Sequence, residues 1–307
     1  MSAFPTPHLE KLKATFDNTK LPECDKSRIE NALKRYEQWI KSLDAVEGEP
    51  DKRVAKMVEL LNDYRNYVDL ELIFDSEEDF LYRQKGQLKL DNSVIEEFLP
   101  RIIHSSVIPE LAACDVLVGP ANAFLAVFFT SSLTVPEVGG GLNVRSKDQD
   151  FAIAKRLFVQ TSYSSKFEAG KSEIHETNLA YIAAECKTNL DKTMFQEACA
   201  TARDTKLAVT GAKYFLLCEW LDMTPVSTAT TDIDEVIILR MAKRLSSNIR
   251  QKYASSANRK KARNEYEKFL TTCPFRKEMF VRFVEHVRAL LKDKPPEEKE
   301  VLKQGFF

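Results

Sequence analysis

The chain lacks a CxxC pair, a histidine cluster, a phosphate-binding Lys-Ser/Thr after its single glycine-rich run, and any strong excess of charge of one sign. Each absence removes a class of protein. Its six cysteines (Cys24, Cys114, Cys186, Cys199, Cys218 and Cys273) are scattered, and His8, His104, His175 and His286 have no partner at ligand spacing. Neither a zinc site nor a disulfide framework is expected, which points to a reducing, cytoplasmic setting. The run Pro136-Glu-Val-Gly-Gly-Gly-Leu142 is neither a P-loop nor a dinucleotide fingerprint, since no clear strand leads through it into a helix. It reads as a flexible, close-approach loop. The opening MSAFPTPHLEKLK has no basic-then-apolar leader pattern. Residues 116–136 carry no charge, a length that would span a bilayer, but Gly119, Pro120, Asn122 and the Thr130-Ser131-Ser132 run break the stretch. A core segment is expected there, with no membrane partner.

What is present is an ordinary soluble composition, 44% hydrophobic and 30% charged over 307 residues, enough chain for a full core. The formal net charge of -1 settles nothing about nucleic acid, because a partner feels the local distribution. Ile29, Leu33, Tyr36, Ile40 and Leu43, then Val54, Met57, Leu61, Tyr64 and Val68, recur every three to four residues and predict two amphipathic helices. Residues 80–90 read as a short hairpin about Lys85-Gly86. Ser93-Val-Ile-Glu96 reads as a capping box opening a helix that Pro100 bends or restarts. Residues 190–204 predict a helix, 206–209, 213–219 and 233–239 predict strands, and 275–291 a last amphipathic helix before a charged tail.

The chain is organised around residues 149–197. Apolar, β-branched runs at 151–163 and 174–187 flank the polar, glycine-containing segment 166–172, the pattern of a long β-hairpin. A turn centred between Phe167 and Glu168 places Asp150 opposite Glu185, and directly opposed side chains share a face about 5 Å apart. Lys187, two residues beyond Glu185, falls on the same face. Two carboxylates side by side need a cation between them, and hard oxygen ligands suit Mg²⁺, which activates water and neutralises charge on a phosphorus centre. Metal-assisted phosphodiester hydrolysis is the chemistry this grouping suits.

Asp150, the strand-ending Glu185-Cys186-Lys187 and the amphipathic helix that follows resemble the (D/E)xK nuclease superfamily. The run AAECKTNLDKTMFQEA resembles type II restriction endonucleases in particular. The likeness covers residues 109–250. It implies a restriction-endonuclease-like mixed β-sheet core flanked by helices, an α/β fold. It also implies a Mg²⁺ site made by Asp150, Glu185 and the backbone carbonyl of Cys186, with Lys187 at the attacking water. Gln149 stands where the family name has proline, so Asp148, Glu168 and Glu173 remain alternates for the first carboxylate. Of three acidic-x-Lys triplets, those at 204–206 and 297–299 lack an apolar strand with an acid across a hairpin.

Residues 240–268 hold ten basic side chains against Glu265 and Glu267. With a nuclease site upstream, Arg240, Lys243, Arg244, Arg250, Lys252, Arg259, Lys260 and Lys261 are candidate contacts to the DNA backbone, and the glycine-rich loop is another. The expected organisation is a mainly helical region at 1–108, a nuclease core at 109–245 and a basic helical region at 246–307. The expected partner is double-stranded DNA, cut by a homodimer or heterodimer because one site per subunit must serve two strands. The rivals are a structure-specific repair or recombination nuclease and a non-catalytic DNA-binding protein.

Overall fold

The computed structural model describes residues 4–293 and 296–306. Its first part is helical, as the three-to-four spacing requires: α1 (Pro7–Phe16), α2 (Glu23–Asp44), α3 (Pro50–Asn66), α4 (Phe80–Leu88) and α5 (Ser93–Ile102). α3 continues into a π-helical segment, Tyr67–Phe74, whose side chains are nearly all buried. Three local expectations fail here. Residues 80–90 are not a hairpin: Gly86 sits inside α4, and the reversal falls to Lys89 in the left-handed conformation, φ 52°. Ser93 lies within α5 rather than capping it, and its hydroxyl donates to the Lys89 carbonyl. Pro100 does not restart the helix, which runs on to Ile102.

The sheet has five strands in sequence order: β1 (Leu117–Phe129), β2 (Leu142–Ser162), β3 (Ser172–Leu190), β4 (Lys213–Leu221) and β5 (Glu235–Lys243). β2 runs antiparallel to both β1 and β3, β1 also pairs in parallel with β3 at Ala123 and Asn178, and β4 and β5 run parallel to β3. The parallel step from β3 to β4 is made by α6 (Lys192–Ala208), whose N-cap Asp191 accepts from the Met194 amide at 2.9 Å. Residues 206–209, expected as a strand, largely belong to this helix. After β5 come α7 (Ser247–Lys252), α8 (Ser256–Thr272), α9 (Lys277–Lys292) and α10 (Glu298–Gln304), the last inside the expected charged tail. The fold is thus a mixed sheet flanked by helices with a helical N-terminal region.

Alternation along the strands sorts the core. Phe151, Ile153, Ile182, Ala184, Phe215 and Leu217 face α1–α5 and α9 in the main apolar cluster. Ala152, Ala154, Ala183, Tyr214 and Leu216 face α6 in a second. A third cluster joins the π-helical segment to Trp220 and α8. Among the described residues no helix is long and apolar enough to cross a membrane.

The hairpin pairs Phe151 with Ala184, so Asp150 and Glu185 follow as the next opposed positions. Toward the tip Ser162 faces Ser172, which centres the turn on Phe167 itself, and an extra residue, Tyr181, absorbs the one-residue difference. β2 also bends back on itself. The Thr161 hydroxyl donates to the Gly139 carbonyl at 2.7 Å and the Leu142 amide to Glu173, the β3 residue opposite Thr161, at 3.1 Å, which holds the start of β2 and the loop before it against the outer end of the hairpin. Gly139 is required at this seam: its φ is 59°, and a Cβ there would lie 2.5 Å from that of Glu173. The glycine-rich loop is therefore packed against the far end of the hairpin. Of residues 116–136, Leu117–Phe129 form β1, whose outer end is solvent-exposed, and 130–136 lie outside any strand, so the stretch is not a core segment throughout.

Candidate active site

Asp150, Glu185 and Lys187 line one cleft of about 720 Å³. A bulge sets the first of them. Gly119 pairs with Ala152 but Ala121 with Gln149, so Asp150 and Phe151 together oppose Pro120. Because a bulge resets alternation, Lys147 reaches the α6 side of the sheet, where it bonds Thr201 on α6 and lies 3.9 Å from Glu185 Oε1. Asp148, which a regular pleat would place with Asp150, turns away and accepts from Asn122 at 2.8 Å.

Three ammonium groups lie near the two carboxylates, Lys187 and Lys89 in the cleft lining and Lys147 outside it. Lys187 Nζ is 3.3 Å from Glu185 Oε1, and Lys89 Nζ is 3.7 Å from Asp150 Oδ1. Asp150 Oδ2 accepts from the backbone N–H of Cys186 at 3.0 Å, which ties the two strand ends together. Asp150 and Glu185 keep 21% and 16% of their side-chain surface, enough for a ligand to reach them. Glu185 Oε2 is different, a buried carboxylate oxygen with no hydrogen-bond partner. An orphan of that kind costs roughly 1–3 kcal/mol or more and marks a place where something else binds.

Behind these lies Glu96 of α5, nearly buried, 3.6 Å from Lys89 Nζ and accepting from Asn92 at 2.8 Å. Burial and then the Asp150 charge push its carboxyl above the usual range. Burial works to lower the Lys89 ammonium, but Glu96 and Asp150 together outweigh it and raise its pKa. The Tyr214 phenol, buried beside Glu185 and Thr201, is pushed up by desolvation and by the Glu185 charge. The Cys186 thiol faces the main apolar cluster, and burial raises it well above the ordinary thiol value.

The alternates for the first carboxylate lie elsewhere. Glu168 pairs with Lys171 at 2.7 Å, and Glu173 with His175 at 2.9 Å near the hairpin tip. The basic candidates divide. Arg240 and Arg259 cannot meet DNA, because both are fully buried. Arg240 lies between Asp69 and Glu219, and Arg259 donates to the carbonyls of Phe74, Ser76, Glu78 and Tyr253. Arg244 and Arg250 line the cleft and share Asp222 at 3.0 and 3.7 Å. Lys243, Lys252, Lys260 and Lys261 are exposed outside the lining. Sequence reasoning missed Lys147, Lys89 and Glu96. Lys147 is hidden by the bulge, Glu96 reads as the acid of a capping box with Ser93, and Lys89 falls in the expected hairpin.

The donor set fits a hard divalent cation. Glu185 Oε2 lacks a hydrogen-bond partner and Asp150 lines the same cleft, while among the described residues no three His, Cys, Asp or Glu side chains are grouped closely enough to hold an ion by themselves. Two carboxylates leave the remaining positions to water, backbone and phosphate oxygens, the pattern Mg²⁺ prefers.

Comparison with known proteins gives three findings. A family model described as Bpu10I restriction endonuclease matches residues 87–307. A solved structure described as the native BbvCI A2B2 tetramer at low resolution has a similar fold, with TM-score 0.53 and 20% sequence identity over 80% of this chain and 88% of that chain. No curated protein sequence matches.

Proposed function

Because the chain belongs to the Bpu10I restriction endonuclease family, we propose that it is a type II enzyme hydrolysing double-stranded DNA at a specific sequence with Mg²⁺ at Asp150 and Glu185. The single observation that carries this reading is the buried, unpartnered Oε2 of Glu185 beside Asp150 and Lys187 in an open cleft. Asp150, Glu185 and the backbone carbonyl of Cys186 hold the ion. When bound it supplies charge neutralisation at the scissile phosphate and acidifies water.

The side chains do the rest. The Cys186 N–H fixes the Asp150 carboxylate through Oδ2, which leaves Oδ1, 3.7 Å from Lys89 Nζ, as the oxygen for the ion. Lys187 Nζ, close to Glu185 Oε1, orients the attacking water and offsets charge on the in-line phosphate. Arg83 and Lys85 on one wall and Arg244 and Arg250 on the other give the strand a basic path through the cleft. Cutting both strands with one site per chain calls for two subunits, identical for a palindromic target and different for an asymmetric one.

Incubation with a plasmid of known sequence tests the proposal. With Mg²⁺ the expected product is a set of discrete bands. Lys187→Ala is expected to slow cutting at least ~1,000-fold while DNA binding persists. A smear or branch-dependent nicking would favour a structure-specific nuclease, and full cutting by Lys187→Ala would remove the catalytic assignment.

A further inference from the structure

A second cavity, of about 230 Å³, lies where the ends of α2 and α5 meet the first turns of α3, and no residue lines both it and the catalytic cleft. We propose that this cavity binds a phosphomonoester, with Arg53, Arg101 and His104 around the phosphate. Arg53 is the main reason. Its Nε is buried without an acceptor, and among the described residues its guanidinium pairs with no acid. Arg28 and Arg65 also leave Nε unmatched, but both of their terminal nitrogens donate, to carbonyls in one case and to carboxylates in the other. Arg101, 5% exposed, is the fixed member. Its Nη1 donates to the Glu97 carbonyl at 2.9 Å, its Cζ lies 4.8 Å from the Phe4 ring centroid, and its Nε has no acceptor.

The third donor is His104. The Ser106 amide donates to its Nδ1 at 3.2 Å, which assigns the ring proton to Nε2, and burial, then the Arg53 charge, lower its pKa and keep the ring neutral. Two guanidiniums and a ring N–H are the charge-assisted donors that a phosphate takes. Two carboxylates stand near them. Asp44 Oδ1 is 3.7 Å from Arg101 Nε, but Asp44 is 54% exposed and can swing into solvent. Glu97 Oε1 is 3.9 Å from Arg101 Nη1 and is held by Tyr36, while its other oxygen accepts from the His8 and Leu9 amides. Size and depth choose the ligand. Phe4 and the buried Leu43 and Met57 give the cavity an apolar wall. Its volume falls below the ~300–1,000 Å³ of ordinary ligand pockets, which suits a phosphate on a short organic body. Duplex phosphates lie on a convex surface and meet exposed side chains, whereas a terminal phosphate can enter a recess in which Arg101 is almost enclosed.

This site does not depend on the nuclease reading, so it is tested without DNA or metal. Calorimetric titration of the full chain with phenyl phosphate is expected to show one site per chain, with a dissociation constant on the order of 1 mM or below. Arg53→Gln is expected to weaken binding at least ~10-fold, because it removes the unmatched charged donors. Asp44→Asn is expected to tighten it about 3-fold, because it removes a carboxylate that repels the phosphate. Lys187→Ala, in the catalytic cleft, is expected to leave the affinity unchanged. His104→Gln supplies a second weakening variant should Arg53→Gln fail to fold. No saturable binding up to ~10 mM, or an affinity that none of the cavity variants moves, overturns the proposal. So does phenol or inorganic phosphate binding as tightly as phenyl phosphate, or loss of binding in Lys187→Ala, which would move the ligand to the cleft. Displacement of phenyl phosphate by a duplex without terminal phosphates also overturns it and gives the site to the DNA backbone.

Discussion

Two clusters of acids and bases lie on the same sheet. On the face toward α3, Glu219 of β4 meets Arg65 and Arg240, which also hold Asp69, and every member is at most 4% exposed. The Arg240 guanidinium is further stacked on Trp220 and on Phe275, 4.7 and 3.9 Å from the ring centroids. In the other cluster, Glu185 meets Lys187 and Lys147 on the face toward α6 and Asp150 meets Lys89 at the cleft, all partly exposed, with one carboxylate oxygen unsatisfied. The first cluster is closed, with two acids matched to two bases. The second holds extra cations and an unused acceptor. Matching and closure, rather than the presence of charge, separate a structural ion cluster from a reactive one.

The sharpest way to break this comparison is to remove one group from each cluster. Arg240→Met leaves Asp69 and Glu219, whose carboxyl burial already pushes upward, to share Arg65 alone, and is expected to cost about 3–5 kcal/mol. That is a fall on the order of 10 °C in Tm. Glu185→Gln, in the open cluster, is expected to move Tm by no more than ~1 °C, because sites built for ligands hold strain that substitution relieves. Calorimetry on both variants decides the matter. Equal losses would show that the α6-side cluster is structural as well.

Much of this was legible from the chain because the hairpin signal is local. The apolar runs at 151–163 and 174–187 and the polar turn between them place Asp150 across from Glu185, and the pairing of Phe151 with Ala184 bears that placement out. What stayed hidden was long-range or irregular. Arg240 and Arg259 sit in a run of basic residues, and no pattern in that run reveals that Asp69 or the carbonyls after Phe74 will enclose them. Lys147 lies three residues before Asp150, and only the bulge opposite Pro120 brings it round. Residues 80–90 misled for a different reason. Gly86 suggested a turn, whereas the helix passed over it and Lys89 took the strained conformation.

A smaller effect extends the closed side of the comparison to His8. Its ring nitrogens meet Ser93 at 2.9 Å and Tyr64 at 2.8 Å, and burial, then the Arg65 charge, hold its pKa down to about 3. The folded chain keeps this ring neutral, whereas the unfolded chain takes a proton below its ordinary value of 6.5. Stability from this group is therefore complete above about pH 6.5 and is lost as pH falls toward 3. The slope is about 1.4 kcal/mol per unit, or about 2 kcal/mol by pH 5. Urea midpoints at pH 7.5 and 5 should differ less in His8→Gln than in the wild type. An identical difference in both would show that the ring is not held neutral.

The smallest effect belongs to the open side. Arg244 and Arg250 share a single carboxylate, Asp222, so one positive charge is left over at the mouth of the cleft. Burial and the neighbouring Arg244 charge lower the Arg250 pKa, the mark of two guanidiniums crowded around one acid. A phosphate oxygen entering there relieves that crowding and gains charge-assisted hydrogen bonds. Arg244→Ala and Arg250→Ala are each expected to weaken DNA binding by roughly 5- to 10-fold and to lower the salt slope by about one. Lys260→Ala, exposed but outside the cleft, should change neither. Titration at several salt concentrations reads both quantities. If Lys260→Ala shifts the slope and the two arginine variants do not, DNA passes along the α8 surface instead, and the cleft residues lose their claim to the phosphate path.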